Sequence, residues 1–339
     1  MTSAPSFPLD PSRAALLEAA LQSALEGDAP ALLTHAARYV LGWEDEAGLP
    51  SNAGGKRARP GLCIFTCEAL GGTLEDALPG AVAVELIHNF SLVHDEIQDG
   101  DAERHGRPTT WRRFGAAQGI NVGDFLYAAA LSALVRGAGP AERRVEALAV
   151  LVTAVQEMVA GQWQDLSFES RDQVSRAEYL AMVAGKTGAL IGAPVEIGAL
   201  LAGAPTRLAA RLGRWGKQVG LAFQAQDDYL GTWGDPAVTG KSNTGDIERR
   251  KKSLPVILGL ADPAAREIIL AEYGRPAAES PAVERVVAAL EVSGAREETR
   301  RLAASLAAEA DRMLDGAPLD RGVRELMGGI AHALVDRSA

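Results

Sequence analysis

Residues 74–99 read LEDALPGAVAVELIHNFSLVHDEIQD, and the character of this stretch decides the kind of fold the chain adopts. Ala81, Val82, Val84, Leu86, Ile87, Phe90, Leu92 and Val93 give it a markedly apolar body that lacks the strict alternation of a half-buried strand. The pattern predicts a long buried helix over 74–99. Its end is acidic, Asp95-Glu96-Ile97-Gln98-Asp99, with Asp101 close behind. Asp95 and Asp99 stand four apart, so on a helix their carboxylates project from one face about 6 Å from each other. A run of acids is ordinarily a solvated face, and like charges at this spacing repel. At the end of a buried helix, however, the run is tolerable where a divalent cation sits among the carboxylates. Oxygen ligands without a Cys or His pairing point to Mg²⁺ rather than zinc. Three of the five histidines, His88, His94 and His105, fall in the same neighbourhood.

Outward from this stretch, the 3.6-residue period covers most of the chain. Helices are predicted over 11–25, 29–41, 57–70, 117–136, 142–169, 176–201, 206–230 and most of 284–334. The longer loops fall at 42–55, 100–109, 231–253 and 274–281. None has the length and low complexity of an interdomain linker, and no internal repeat is present. The expectation is one large all-α domain over 1–339, with residues 1–11 as a flexible start. Composition agrees: 47% of residues are apolar, 23% charged and only 5% aromatic, with alanine and leucine, the best helix formers, dominating the apolar set.

The net charge of −10, from 34 basic and 44 acidic residues, argues against nucleic acid as a partner. Anionic ligands therefore require locally concentrated cations. Cys63 and Cys67, the only cysteines, lie one helical turn apart with no second ligand pair, which fits two core thiols better than a metal site. The opening residues MTSAPSFP contain no basic n-region or apolar h-region. No uninterrupted apolar run reaches ~18 residues. A soluble cytoplasmic protein without stable membrane insertion is expected.

Two further clusters echo the first. Gln224, Asp227, Asp228 and Gly231 end another apolar helix, and the following loop adds Asp235 and Asp246. Two acidic helix ends would suit several Mg²⁺ ions, which keep waters and bind substrate phosphates rather than filling a cage of protein ligands. A solvated loop remains the alternative for this second cluster. The basic counterpart is Gly54-Gly55-Lys56-Arg57-Ala58-Arg59-Pro60, three cations on a glycine turn where a helix begins. Arg104-His105-Gly106-Arg107 and Lys186-Thr187 stand near other helix breaks, as does Lys241. Cations interleaved with carboxylates in an acidic protein suggest a phosphate-rich ligand bridged by metal.

Taken in order, GGKRARP at 54–60, ELIHNFSLVHDEIQDGDAERHGRPT at 85–109, GKTGALIG at 185–192 and FQAQDDYLGTWGDPAVTGK at 223–241 resemble the trans-isoprenyl diphosphate synthases of the polyprenyl synthetase family. The resemblance runs from about residue 54 to residue 257 and is nearest to the short-chain geranylgeranyl and farnesyl diphosphate synthases. It implies an all-α fold around a deep central cavity, usually as a homodimer. It also implies head-to-tail condensation of isopentenyl diphosphate with an allylic diphosphate. By the same resemblance Lys56, Arg59 and His88 would bind the isopentenyl diphosphate. Asp95 and Asp99 would hold two Mg²⁺ ions, and Asp227, beside Asp228, a third. Arg104, Lys186, Thr187, Gln224, Lys241 and Lys251 would contact the allylic substrate.

The sequence departs from the family pattern in three places. Glu96 replaces the usual second Asp of the first motif. His105 replaces the second Arg of an Arg-Arg pair that contacts isopentenyl diphosphate in the family. Gly231 replaces the third Asp of the second motif, and Asp235 is the nearest substitute. A class I terpene cyclase would not need Lys56, Arg59 and His88. A non-catalytic partner subunit would have lost Asp95, Asp99 and Asp227. Phe90 and Ser91, five and four positions before Asp95, would form the floor that limits the growing prenyl chain. That combination implies a C20 product, with C15 second and longer chains third.

Overall fold

Thr73 starts the helix on which the fold turns. In the computed structural model, which describes residues 9–104, 106–235, 244–276 and 279–335, Thr73 and Asp76 cap each other reciprocally. The Asp76 N–H donates to Thr73 Oγ1 at 3.2 Å and the Thr73 N–H to Asp76 Oδ2 at 3.0 Å. The helix then runs Leu74–Asp99 (α4), the span its sequence predicts, and stops at Gly100, whose φ of +67° only glycine adopts without strain. Before it come α1 (Pro11–Ala24), α2 (Ala31–Val40) and α3 (Ala58–Ala69). After it come α5 (Thr110–Phe114), α6 (Ala116–Arg136), α7 (Ala141–Glu169), α8 (Arg176–Val183), α9 (Ala189–Ala202) and α10 (Thr206–Trp233). Helices continue from Gly245–Glu248 through Leu254–Gly259 and Pro263–Tyr273 to Arg321–Val335. Of the expected flexible start at 1–11, residues 1–8 lie outside the described residues, while Asp10 caps α1 by accepting from the Ser12 and Arg13 N–H groups.

The described residues divide into two compact units, those within 1–153 and 193–213, and those within 154–192 and 214–339. In the first, α4 is buried along most of its length and packs on α3 and α6. Contact there is close enough to require glycine. A Cβ on Gly198 of α9 would lie 2.3 Å from the Cys63 carbonyl oxygen, so α3 and α9 meet at backbone distance. The strand pair Glu103–Arg104 and Arg107–Pro108, antiparallel with Arg104 opposite Arg107, is the sheet found among the described residues. Two residues per strand are too few for alternation to register in sequence.

The second unit is organised around Phe168, Tyr179, Met182, Ala222, Ala225, Leu254, Ile257 and Leu306. Sequence patterning predicts one helix over 176–201; the chain instead makes α8, a π-helical turn at Ala184–Gly188, and α9. The turn sits where α7 comes nearest. A Cβ on Gly161 would lie 2.3 Å from the Lys186 nitrogen, and one on Gly185 2.6 Å from the Glu157 carbonyl. A single extra residue in a helix leaves the hydrophobic period nearly unchanged, so the pattern does not betray it.

Two stretches, Ala141–Glu169 and Arg176–Ala202, are long and apolar enough to cross a membrane by length and composition alone, each with a window of mean hydropathy 1.3. Among the described residues 39% of the first window and 61% of the second are buried within the protein. Averaging over a window tolerates charges that interrupt a run, which is why no continuous apolar run marks them.

Candidate active site

In the first unit the basic turn and α4 meet. Arg59, on the first turn of α3, donates from Nη1 to His88 Nε2 at 3.1 Å. An arginine only donates, so Nε2 is the acceptor and the ring is neutral. Burial, then the charges of Arg59, Arg104 and Arg57, hold His88 well below the ordinary histidine range. The Arg59 Nε–H is buried with no partner among the described residues, a donor awaiting an anion. Lys56 is exposed beside it in sequence. Arg57 is turned inward, with Nε 2.7 Å from Glu18 Oε1 and Nη1 2.7 Å from Glu85 Oε1.

At the far end of α4, Asp95 and Asp99 are partly exposed and Glu96 between them is buried. Glu96 accepts from the Thr110 N–H at 3.2 Å and lies 3.0 Å from Arg104 Nε. Burial raises its carboxyl above the usual range, against the opposing pull of Thr110 and Arg104. Glu96 thus ties the small strand pair and α5 to the end of α4. Arg104, an expected substrate contact, is held by that carboxylate. Higher on the helix Ser91 is buried and donates from Oγ to the His88 carbonyl at 2.8 Å. Phe90 packs edge-on against His94, with ring centroids 4.8 Å apart, and tilts against Tyr127 of α6 at 5.4 Å. His105 lies outside the described residues.

In the second unit Thr187, on the π-helical turn, donates from Oγ1 to Gln224 Oε1 at 2.9 Å. Gln224 in turn donates from Nε2 to Asp228 Oδ1 at 2.8 Å. Asp228 Oδ2 accepts from the Tyr179 hydroxyl and from the Leu254 N–H, each at 2.7 Å. Sequence patterning groups Asp228 with the metal ligands. It is buried at 5% exposure and both its oxygens are engaged by protein donors. Burial, with Asp246 adding to it, pushes its carboxyl up to about 7. Asp227, one residue earlier, is partly exposed. Lys186 donates from Nζ to Asp165 Oδ2 at 2.5 Å. The Lys251 N–H donates to the Asp246 carbonyl at 2.9 Å, which fixes the turn after Gly245–Glu248. A Cβ on Gly231 would lie 3.1 Å from Asp246 Oδ2, so the Asp246 carboxylate fills the space beside this glycine. Lys241 lies outside the described residues.

No group of three or more His, Cys, Asp or Glu side chains able to hold a metal ion occurs among the described residues. Asp95, Asp99 and Asp227 nevertheless fit Mg²⁺ by the chemistry of their donors, since this ion is commonly held by one or two carboxylates and completed by waters and substrate phosphates. Asp165, Tyr179, Glu18 and Glu85 escape sequence reasoning. The polar run Gln162-Trp163-Gln164-Asp165 inside an apolar helix is the one available hint of Asp165.

Comparison with known proteins identifies the family. Residues 48–290 match the polyprenyl synthetase family. A (2E,6E)-farnesyl diphosphate synthase of Mycobacterium tuberculosis is 41% identical over 312 residues, covering 89% of this chain and 85% of that one. A geranylgeranyl diphosphate synthase of the same organism is 40% identical over 286 residues, covering 84% and 81%. The crystal structure of a polyprenyl synthetase from Streptomyces coelicolor superposes with a TM-score of 0.89 at 39% identity, covering 96% of this chain and 98% of that one. With its helical fold, its cationic turn and its two acidic helix ends, the chain belongs to the polyprenyl synthetase family and is a prenyltransferase of the short-chain prenyl diphosphate synthase type.

Proposed function

We propose that this prenyltransferase condenses isopentenyl diphosphate with an allylic diphosphate in a Mg²⁺-dependent reaction and releases the C20 all-trans product. One observation carries the reading. Arg59 is bonded to His88, and His88 precedes Asp95 by seven residues of one continuous helix. At 1.5 Å per residue that is about 10 Å, enough to keep two diphosphates apart while their carbon ends meet. The unpartnered Arg59 N–H, the neutral His88 ring and the exposed Lys56 would hold isopentenyl diphosphate. Asp95, Asp99 and Asp227 would hold magnesium, three ions in all, with Asp246 supporting the last. Magnesium bound there supplies neutralisation of the charge that develops on the departing diphosphate. Arg104, Lys186, Thr187, Gln224, Lys241 and Lys251 would grip that same allylic diphosphate and orient its C–O bond. After that bond breaks, the isopentenyl double bond attacks the allylic carbon, and the proton lost goes to the released diphosphate.

Product length follows from Phe90. Its ring contacts with His94 and Tyr127 support reading it as a bulky wall one to two turns before Asp95, a depth of about 6–12 Å. The farnesyl diphosphate synthase among the relatives favours C15 as the second reading. Purified protein with isopentenyl diphosphate, each allylic starter in turn and Mg²⁺ is expected to yield C20 chains. Phe90→Ala is expected to lengthen them, at some cost in stability from the void. A C15 product retires the geranylgeranyl assignment. An unchanged distribution from a folded, active Phe90→Ala enzyme removes Phe90 from the floor.

A further inference from the structure

Arg57 sits between the two cations assigned to isopentenyl diphosphate, yet its side chain turns away from them. Lys56 is exposed, whereas the Arg57 side chain is only 9% exposed. Its backbone is left-handed, φ +49° and ψ +38°, a conformation that costs a non-glycine residue roughly 1–2 kcal/mol. Something must hold it there, and the contacts identify what does. Nε bonds Glu18 Oε1 of α1 at 2.7 Å, Nη1 bonds Glu85 Oε1 of α4 at 2.7 Å, and Nη2 bonds the Leu41 carbonyl at 3.0 Å. Both carboxylates are themselves fixed. Glu18 Oε2 accepts from the Trp43 indole at 2.6 Å, and Glu85 Oε1 accepts from Asn89 Nδ2 at 3.1 Å. The turn before Arg57 is clamped from its other side, because the Ala53 N–H donates to the Gly42 carbonyl at 3.0 Å.

From this geometry, and resting on the isopentenyl assignment above, we infer that Arg57 is a positioning residue for the diphosphate grip. Three anchors on α1, α4 and the loop after α2 lock the peptide between Lys56 and Ala58 in its left-handed form. That lock sets the direction in which Lys56 leaves the turn and the point at which α3 begins, one residue before Arg59. Arg57 itself touches no substrate. A planar guanidinium with five donors in fixed directions makes these three bonds at once, and the point charge of a lysine does not.

The test separates this role from general stability and from the assignment on which it rests. Arg57→Ala, Arg57→Lys and Glu18→Gln are compared with Lys56→Ala under steady-state conditions, with thermal unfolding followed in parallel. Arg57→Ala is expected to raise KM for isopentenyl diphosphate about tenfold or more. The allylic KM should stay within twofold and kcat change less than KM. Arg57→Lys is expected to recover little, and Glu18→Gln to shift the same KM in the same direction by a smaller factor. Should Arg57→Ala not fold, Glu18→Gln, which keeps the arginine and its bond to Glu85, carries the test. The inference is overturned if Lys56→Ala raises the isopentenyl KM while folded Arg57 and Glu18 variants leave it unchanged. It is equally overturned if they move both KM values together, as loss of active protein or a loosened fold would. If Lys56→Ala itself leaves the isopentenyl KM unchanged, the diphosphate assignment fails first, and the positioning role fails with it.

Discussion

The two acidic helix ends look alike in sequence and are built differently. In each, a partly exposed aspartate has a buried acid as its neighbour: Asp95 with Glu96 on α4, Asp227 with Asp228 on α10. Glu96 reaches out of the helix to a cation, Arg104, and to one backbone N–H. Asp228 stays among neutral donors, a tyrosine hydroxyl, an amide and a backbone N–H. Burial outweighs the donors at both acids: it raises Glu96 against the pull of Thr110 and Arg104, and with Asp246 adding to it pushes Asp228 up to about 7. The comparison teaches that the second acid of each cluster is an anchor, and under the proposed function holding metal would fall to its neighbours. An anchor tied to a cation braces a loop. One tied to neutral groups braces the packing of helices against each other.

The largest effect that would break or sharpen this contrast is on turnover. Asp95→Asn and Asp227→Asn are each expected to lower kcat by on the order of 10²–10³-fold, the scale of losing preorganised charge stabilisation. Asp228→Asn, which keeps one acceptor oxygen, should retain far more activity than Asp227→Asn in a folded enzyme. Equal losses at 227 and 228 would return Asp228 to the metal ligands. The next effect is on stability. Asp228→Ala strands donors from Tyr179, Leu254 and Gln224, each costing about 1–3 kcal/mol when buried and unmet. Glu96→Gln keeps an acceptor for Thr110 and should cost no more than about 1 kcal/mol. Thermal unfolding of the two variants side by side reads the difference, and similar melting points would erase the distinction between the two anchors.

The smallest effect concerns pH. His88 titrates well below its ordinary value in the folded chain and near pH 6.5 in the unfolded one. The unfolded state therefore binds the proton first as the solution is acidified. Stability from the neutral ring is present above about pH 6.5 and declines as pH falls through and below it. His88→Gln, whose carbonyl still accepts from Arg59, should flatten that part of the profile without moving the region above pH 7. An unaltered slope between pH 6.5 and 5 would mean that His88 takes up its proton alike in the folded and the unfolded chain.

How much of this was legible beforehand depends on the length scale of the signal. Leu74–Asp99 was readable to its ends because a long stretch with an apolar body, a Thr-x-x-Asp start and a following glycine all agree. The π-helical turn under Lys186 and Thr187 was not, since it arises from helices meeting at Gly161 and Gly185, residues 24 positions apart in the chain. Asp95, Asp99 and Asp227 were legible as a pattern of charge at helix ends. The different surroundings of Asp227 and Asp228 were not legible, because adjacent aspartates look equivalent until burial separates them, and burial is a property of the assembled fold. Asp165 and Glu18 were invisible for a related reason: each gains its meaning from a cation 21 or 39 positions away.

The backbone contact between Gly198 and Cys63 has a consequence for solution chemistry. It closes α9 over α3 and leaves the Cys63 and Cys67 side chains with no exposure to solvent. Burial drives both thiols upward, Cys67 to about 12, so at neutral pH the reactive thiolate is on the order of 10⁻⁵ of the Cys67 population. Peroxide and maleimide reagents, which act through that anion, find nothing to attack in the folded chain. A cysteine introduced at an exposed position would then be the single reactive thiol in the molecule, ready for a fluorophore or spin label with both natural cysteines left in place.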